Sequence, residues 1–450
     1  MVDNASRMHR RLLGLVAALL AVTVAGMIAL WPRAERLPDT EEPVQDLVAA
    51  VVVEVEYLEG EPDPVMGGSG EIAVVTVEVL DGPDAGQVMP LEVPAEGYPA
   101  FRPGERVSLE PANVAGSETP YFIRDFQRLP VLFVLIGLFV AAVLVIGRWH
   151  GLRSLLGLAA SLVIVVQFIV PAILSGRNPP LVALVGAMAI MIVTLYLTHG
   201  VNEMTTSAVV GTAIALTATV GIALLFINRG KITGFASDDA VFARFAVEGL
   251  DLRGLVLAGL IVATLGVLDD VTISQASTVF ALHDTDRTLP WATLFTRAMK
   301  VGRDHIAAVV NTLFLAYAGA SLALLVLFST SGLAVSEIVG SEILAEEIIK
   351  TVVGSLGLIA AVPLTTALAA GVAVRRPGGS RPLGGGLRHG SGVAAVAASG
   401  SVPGHAEPVE ADEDLDDDER AYRAWIRYLG EDPDRRRAEP DDHPGGRPAT

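Results

Sequence analysis

The stretch GLVLAGLIVATLGVLDDVTISQASTVFAL, residues 254–282, decides what kind of protein this is. Residues 254–268 carry no charge. As a helix they rise only about 22 Å, short of a hydrocarbon core of about 30 Å. A helix that crosses must therefore run on through Asp269 and Asp270. Carboxylates inside a membrane are costly and usually mark function. On such a helix Asp270, Ser274 and Ser277 share one face, and Asp269, Thr272 and Ala276 share another. The first face is expected to turn to a polar bundle interior, meeting Thr212 or Asn311 from neighbouring spans. Gly266 offers a place to bend or break, and a broken helix with carboxylates and hydroxyls holds a cation or relays protons. The rival reading ends the span at Leu268 and lays 271–282 in the membrane interface, with the Asp pair among the headgroups. The candidate polar site is thus Asp269, Asp270, Thr272, Ser274, Gln275 and Ser277, with Thr212 and Asn311. Catalytic and metal-ligating residues are expected to be none.

Working outward, further apolar runs are long enough to cross a bilayer: 12–31, 129–147, 154–174, 179–198, 205–227, 306–328 and 351–374. With the central stretch these make about eight spans. The whole chain agrees: 52% of its 450 residues are hydrophobic and 18% are charged, against about a quarter charged in soluble domains. The run at 12–31 follows Arg7, Arg10 and Arg11, and no A-x-A cleavage site precedes Pro32, so an uncleaved signal anchor is expected. With the N-terminus inside, 12 Lys and Arg fall in inside segments and 6 in short outside loops. This bias places both termini in the cytoplasm. Loop 228–253 runs against it, with four positive residues outside.

The net charge of −18 is concentrated in the soluble pieces. Residues 32–129 hold 20 Asp and Glu against 6 Arg, and 375–450 hold 15 against 11. Such surfaces repel nucleic acid and attract cations or basic partners. Within 44–122, short β-branched runs alternate with Gly, Pro and Asp, predicting four or five strands in a small barrel or sandwich. Residues 376–411 are rich in Gly, Pro and Ser and read as a flexible linker. Tyr422, Trp425, Ile426 and Leu429 then fall on one face of a short amphipathic helix near 416–429, suited to a protein partner. The fold class is therefore an all-α polytopic membrane bundle with a small extracytoplasmic all-β domain and a disordered cytoplasmic tail. Its parts are an N-tail and anchor over 1–31, the acidic β domain over 32–128, seven membrane helices over 129–374 and the tail over 375–450.

The chain has no cysteine, so thiol chemistry, disulfides and Cys-zinc sites are excluded. It has no P-loop, H-E-x-x-H or G-x-S-x-G pattern. No enzyme activity and no cofactor is expected. Partners are the lipid bilayer, a small solute or cation, and a protein at the tail, with no nucleic acid.

The order of anchor, acidic β domain and seven-span block, with LDDVTISQAS at 268–277 and GFASDDAVF at 234–242, resembles the YibE/F family of multi-pass bacterial membrane proteins. The resemblance covers roughly 122–374. It implies a bacterial plasma-membrane protein loosely described as a permease, and it carries over no functional residue. The expected function is permease-like transport of a small solute or ion. The alternative is a membrane scaffold or signalling protein that presents its outer domain and inner tail to partners.

Overall fold

The computed structural model describes residues 2–33, 47–58, 71–95, 99–112, 121–247 and 249–376. The expected helix near 416–429 lies outside the described residues. Between the first helix and the rest of the bundle, five strands form one antiparallel sheet: β1 (Val48–Leu58), β2 (Ile72–Val79), β3 (Val88–Pro94), β4 (Arg106–Pro111) and β5 (Tyr121–Phe126), in the order β3-β2-β1-β4-β5. The expectation of a barrel or sandwich is corrected to a single curled sheet, a half-barrel. The sheet curls until β3 and β5 touch without pairing. The alternation of β1 explains how one sheet makes a core. Val48, Ala50 and Val52 point inward, and a bulge between Val52 and Glu54 shifts the period by one residue. Val55 therefore returns to the core side, where Val75, Val77, Leu91, Val107 and Leu109 are buried.

The bundle begins with α1 (Val2–Leu30). Its other elements are α2 (Leu129–Ile164), α3 (Val170–Leu174), α4 (Pro179–His199), α5 (Glu203–Arg229), α6 (Asp238–Ala246), α7 (Leu252–Thr285), α8 (Trp291–Ala320), α9 (Leu322–Thr330), α10 (Val335–Gly340) and α11 (Glu342–Ala373). Among the described residues, six helical stretches are long and apolar enough to cross a membrane, or seven if α8 and α9, bent by 60°, are one span.

Two breaks shape this part of the chain. Inside α2, Arg148 is non-helical, with φ 49° and ψ −125°. The chain doubles back there, so that a Cβ on Gly151 would collide with the carbonyl oxygen of Val143. The expected loop over 148–153 is thus compressed to a break at one residue. Between α2 and α3, residues Val165–Ile169 form a π turn. Pro171 follows at the second position of α3. Its ring would clash with the carbonyl four residues back, and widening the turn avoids that clash.

The core of the bundle is α4, α5, α7 and α11, with α1 against α4 and α5, and α8 against α7 and α11. Small residues set the spacing. A Cβ on Gly211 of α5 would collide with Thr365 of α11, and one on Gly357 of α11 with Thr219 of α5. The two helices thus exchange a glycine for a threonine at two levels, as close helix contact in lipid requires. By contrast the first arm of α2 exposes apolar side chains all round, among them Val131, Phe133, Val145 and Ile146. Such a surface is stable only in an apolar surrounding.

Candidate functional site

The central stretch forms one unbroken helix. α7 is 34 residues long and passes through Gly266 without a break. At about 51 Å it exceeds the hydrocarbon core. Residues Val271, Thr272, Ile273, Gln275, Ala276, Val279 and Phe280 are buried in the bundle. The helix therefore does not end at Leu268, and the expected bend at Gly266 is absent. The physical reason is packing. Leu265, Leu268, Thr272, Ala276 and Val279 make a continuous buried stripe at helical spacing against α4, α5 and α11.

The stripe also decides which carboxylate faces inward, and it is the opposite of the one expected. Asp270 and Ser277 are exposed and Ser274 is half-buried. Asp269 lies beside the stripe, where the Thr194 hydroxyl of α4 faces its Oδ2 at 3.3 Å. Its other oxygen, Oδ1, is buried without a hydrogen-bond partner. Asp270 instead lies within electrostatic reach of His199, the last residue of α4. Asn311 is exposed on α8 and meets neither carboxylate.

Below Asp269 on the same side, two further polar contacts tie α7 to its neighbours. Thr272 Oγ1 and Thr212 Oγ1 of α5 are 2.6 Å apart. The Gln275 amide donates to Thr366 Oγ1 of α11 at 2.8 Å and to the Ala298 carbonyl of α8 at 3.0 Å. Thr365 Oγ1 is buried without a partner one residue away. Of the eight expected residues, the structure therefore brings Asp269, Thr272, Gln275 and Thr212 to one side of α7. It leaves Asp270, Ser277 and Asn311 outside and Ser274 half-buried.

The residues that sequence reading missed are Thr194, Thr365 and Thr366. The threonine pair carried a signal, being adjacent polar groups in the apolar run after Pro363. Thr194 carried little, since a single hydroxyl in an apolar helix usually bonds its own backbone.

Thr194 does bond its own backbone, and this gives the Asp269 contact its chemistry. A hydroxyl has one proton. The Thr194 proton has a 2.8 Å partner in the Ile190 carbonyl, closer than Asp269. Thr194 also lies 3.3 Å from the Met191 carbonyl, so its one proton is shared among two carbonyls of its own helix and Asp269 Oδ2, to which it donates. The same carboxyl has a buried oxygen with no donor. One shared hydrogen bond between α4 and α7 is thus the polar contact of Asp269, and its second oxygen is left for another donor.

Residues 135–375 match the sequence profile described as YibE/F-like protein. The chain belongs to this family. The matched region holds all of α4 to α11 and so every residue of the polar stripe. Neither the curated proteins nor the solved structures contain a significant match to this chain.

Proposed function

We propose that this YibE/F-like protein is a permease-like transporter of the bacterial plasma membrane, moving a small solute or ion, with Asp269 taking up and releasing a coupling proton. The observation that carries the reading is the α4–α7 contact, where a buried carboxyl has one oxygen facing Thr194 and the other unpartnered. An Asp at the centre of a membrane helix costs about 2.5–3.5 kcal/mol on insertion scales, and such residues mark proton and ion pathways. Ionising it would favour a different helix arrangement, the element a proton-coupled cycle needs. No cofactor enters this reading and no reaction is assigned.

Among the described residues, counting the two arms of α2 on either side of Arg148 and the bent α8–α9 pair favours eight crossings. An even number would put both termini on one side, and the Lys and Arg bias favours the cytoplasm for that side. The sheet then lies outside and residues 375–450 inside. The second reading, a scaffold, has the unpaired edges of β3 and β5 in its favour, since open edges are surfaces for pairing with another chain.

The deciding experiment is proton uptake into proteoliposomes of the full chain, with trapped pyranine and a valinomycin-imposed potential. Wild type is expected to acidify the lumen faster than empty liposomes. Asp269→Asn should slow this at least tenfold, while Asp270→Asn leaves it unchanged. Wild type no faster than empty liposomes would favour the scaffold. Unchanged flux in Asp269→Asn would remove the carboxyl from the mechanism.

A further inference from the structure

Away from the polar stripe, the turn between α3 and α4 and the segment leading into α7 border an open cavity of about 300 Å³. That lies at the lower end of the range of small-ligand pockets, about 300–1,000 Å³. Its walls include the aliphatic Ile173, Leu174 and Leu250. Two charges of opposite sign also line it, Arg177 and Asp251, together with Asn178.

Both charged residues stand on rigid backbone. The Arg177 N–H donates to the Ala172 carbonyl at 3.1 Å and the Gly176 N–H to the Ile173 carbonyl at 2.9 Å. With Gly176 at φ 78°, this is the paired hydrogen-bond pattern of a Schellman helix end. Asn178 then caps α4, accepting from the Leu181 N–H at 3.1 Å. Asp251 caps α7 with one oxygen, accepting from the Gly254 N–H at 3.0 Å.

Neither charge is neutralised by the other. Among the described residues no ion pair joins Arg177 to Asp251. Among the described residues, the Arg177 Nε has no acceptor, and its Nη2 meets the Trp31 carbonyl at 3.5 Å. An arginine on a cavity wall without a carboxylate partner calls for an anionic oxygen there. The carboxylate on the same cavity calls for a cation. A ligand carrying both charges answers both.

We propose that this cavity binds a small zwitterion, its acid group on Arg177 and its ammonium on Asp251. A free amino acid and a phosphoethanolamine lipid headgroup share that chemistry. The site is independent of the proton reading at Asp269.

The test is calorimetric titration of the delipidated full-length protein with L-alanine, sn-glycero-3-phosphoethanolamine, acetate and ethylammonium. At least one zwitterion should bind with one-to-one stoichiometry, and acetate and ethylammonium at least tenfold more weakly. Alanine binding identifies a free solute, and binding of the phosphoethanolamine alone identifies a headgroup. Arg177→Gln and Asp251→Asn should each weaken binding at least tenfold. Asn is as good a helix cap as Asp, so the second variant removes charge while keeping the cap. An unchanged melting temperature shows that each variant is folded. Should Arg177→Gln not fold, Arg177→Lys keeps the charge without the planar fork and should still lose affinity. Acetate binding as tightly as the zwitterion, variants binding like wild type, or no binding by any probe would each overturn the proposal.

Discussion

Thr212 and Thr272 place their hydroxyl oxygens 2.6 Å apart across the α5–α7 contact, and both side chains are fully buried. Thr212 also bonds the Ala208 carbonyl at 3.0 Å, and Thr272 faces the Asp269 carbonyl at 3.3 Å. The pair therefore links the backbone of α5 to the turn of α7 that carries Asp269. A bond made one turn from the carboxyl fixes how α7 is rotated, and with it which aspartate faces α4.

Thr272→Val should destabilise the bundle by about 1 kcal/mol, the range found for hydrogen bonds between membrane helices. Thr212→Val with Thr272→Val should cost less than the sum of the two single changes, because removing both partners leaves no buried hydroxyl unpaired. Unfolding in mixed micelles measures both. A double variant as unstable as the summed singles would show that the two hydroxyls do not interact.

Gly357→Ala would drive a Cβ into Thr219, whose hydroxyl is held on the Ala215 carbonyl at 2.8 Å and cannot swing aside freely. The expected cost is about 1–3 kcal/mol, as for overpacked cores. Combining it with Thr219→Ala makes room and should restore most of the loss. Gly259→Ala on α7, where nothing lies within 4 Å of the added methyl, is the control and should leave the melting temperature unchanged.

These glycines show what could be read in advance and what could not. The apolar runs gave the helices, because only a helix satisfies its own backbone in lipid. The β-branched runs likewise gave four of the five strands, while β5 lies almost wholly beyond the β-like stretch 44–122. The rotation of α7 was not legible. Asp269 and Asp270 are about 100° apart on a helix, and each shares its face with hydroxyls, Thr272 on one side and Ser274 and Ser277 on the other. In a helix that is apolar nearly all round, no polar stripe marks the outside, so partners on other helices decide. Those partners, Thr194 and Thr366, are distant in sequence. A break after residue 147 was legible, because Arg148, His150 and Arg153 interrupt the apolar residues. Its confinement to Arg148 was not, since it depends on Gly151 passing close to Val143.

The Tyr121 hydroxyl donates to Asp84 Oδ2 at 2.7 Å, pinning the start of β5 to the turn between β2 and β3. That hydrogen bond, aided by burial, raises the phenol pKa above its usual 10. The bond belongs to the neutral phenol, so its contribution is complete below pH 10 and is lost as pH rises through the folded-state pKa. Tyr121→Phe should therefore cost the sheet about 1 kcal/mol at pH 7–9. Hydrogen exchange at β5 should show about fivefold lower protection in the variant there. Above the folded-state pKa the two proteins should exchange alike. A difference that persists unchanged at high pH would place the effect in packing of the ring and not in the bond.

Arg376 closes the end of the bundle where α5 begins and α11 ends. Its guanidinium meets Glu203 at 2.7 Å and Asp284 at 3.8 Å, and it lies 4.4 Å from the centre of the Phe280 ring. One side chain just past α11 thus holds the first residue of α5 and the last turns of α7. Each contact is partly exposed, so about 1–2 kcal/mol for the set is the expected scale. Two truncations separate this lock from the rest of the tail. A chain ending after Pro377 retains Arg376 and should melt with the full-length protein. A chain ending after Val374 lacks it and should melt several degrees lower, as should full-length Arg376→Ala. Arg376→Lys keeps the charge but loses the planar contact with Phe280, and should fall between the two. Equal melting of the two truncations would show that the lock contributes nothing. A loss already complete in the longer one would place the stabilising contacts beyond residue 377.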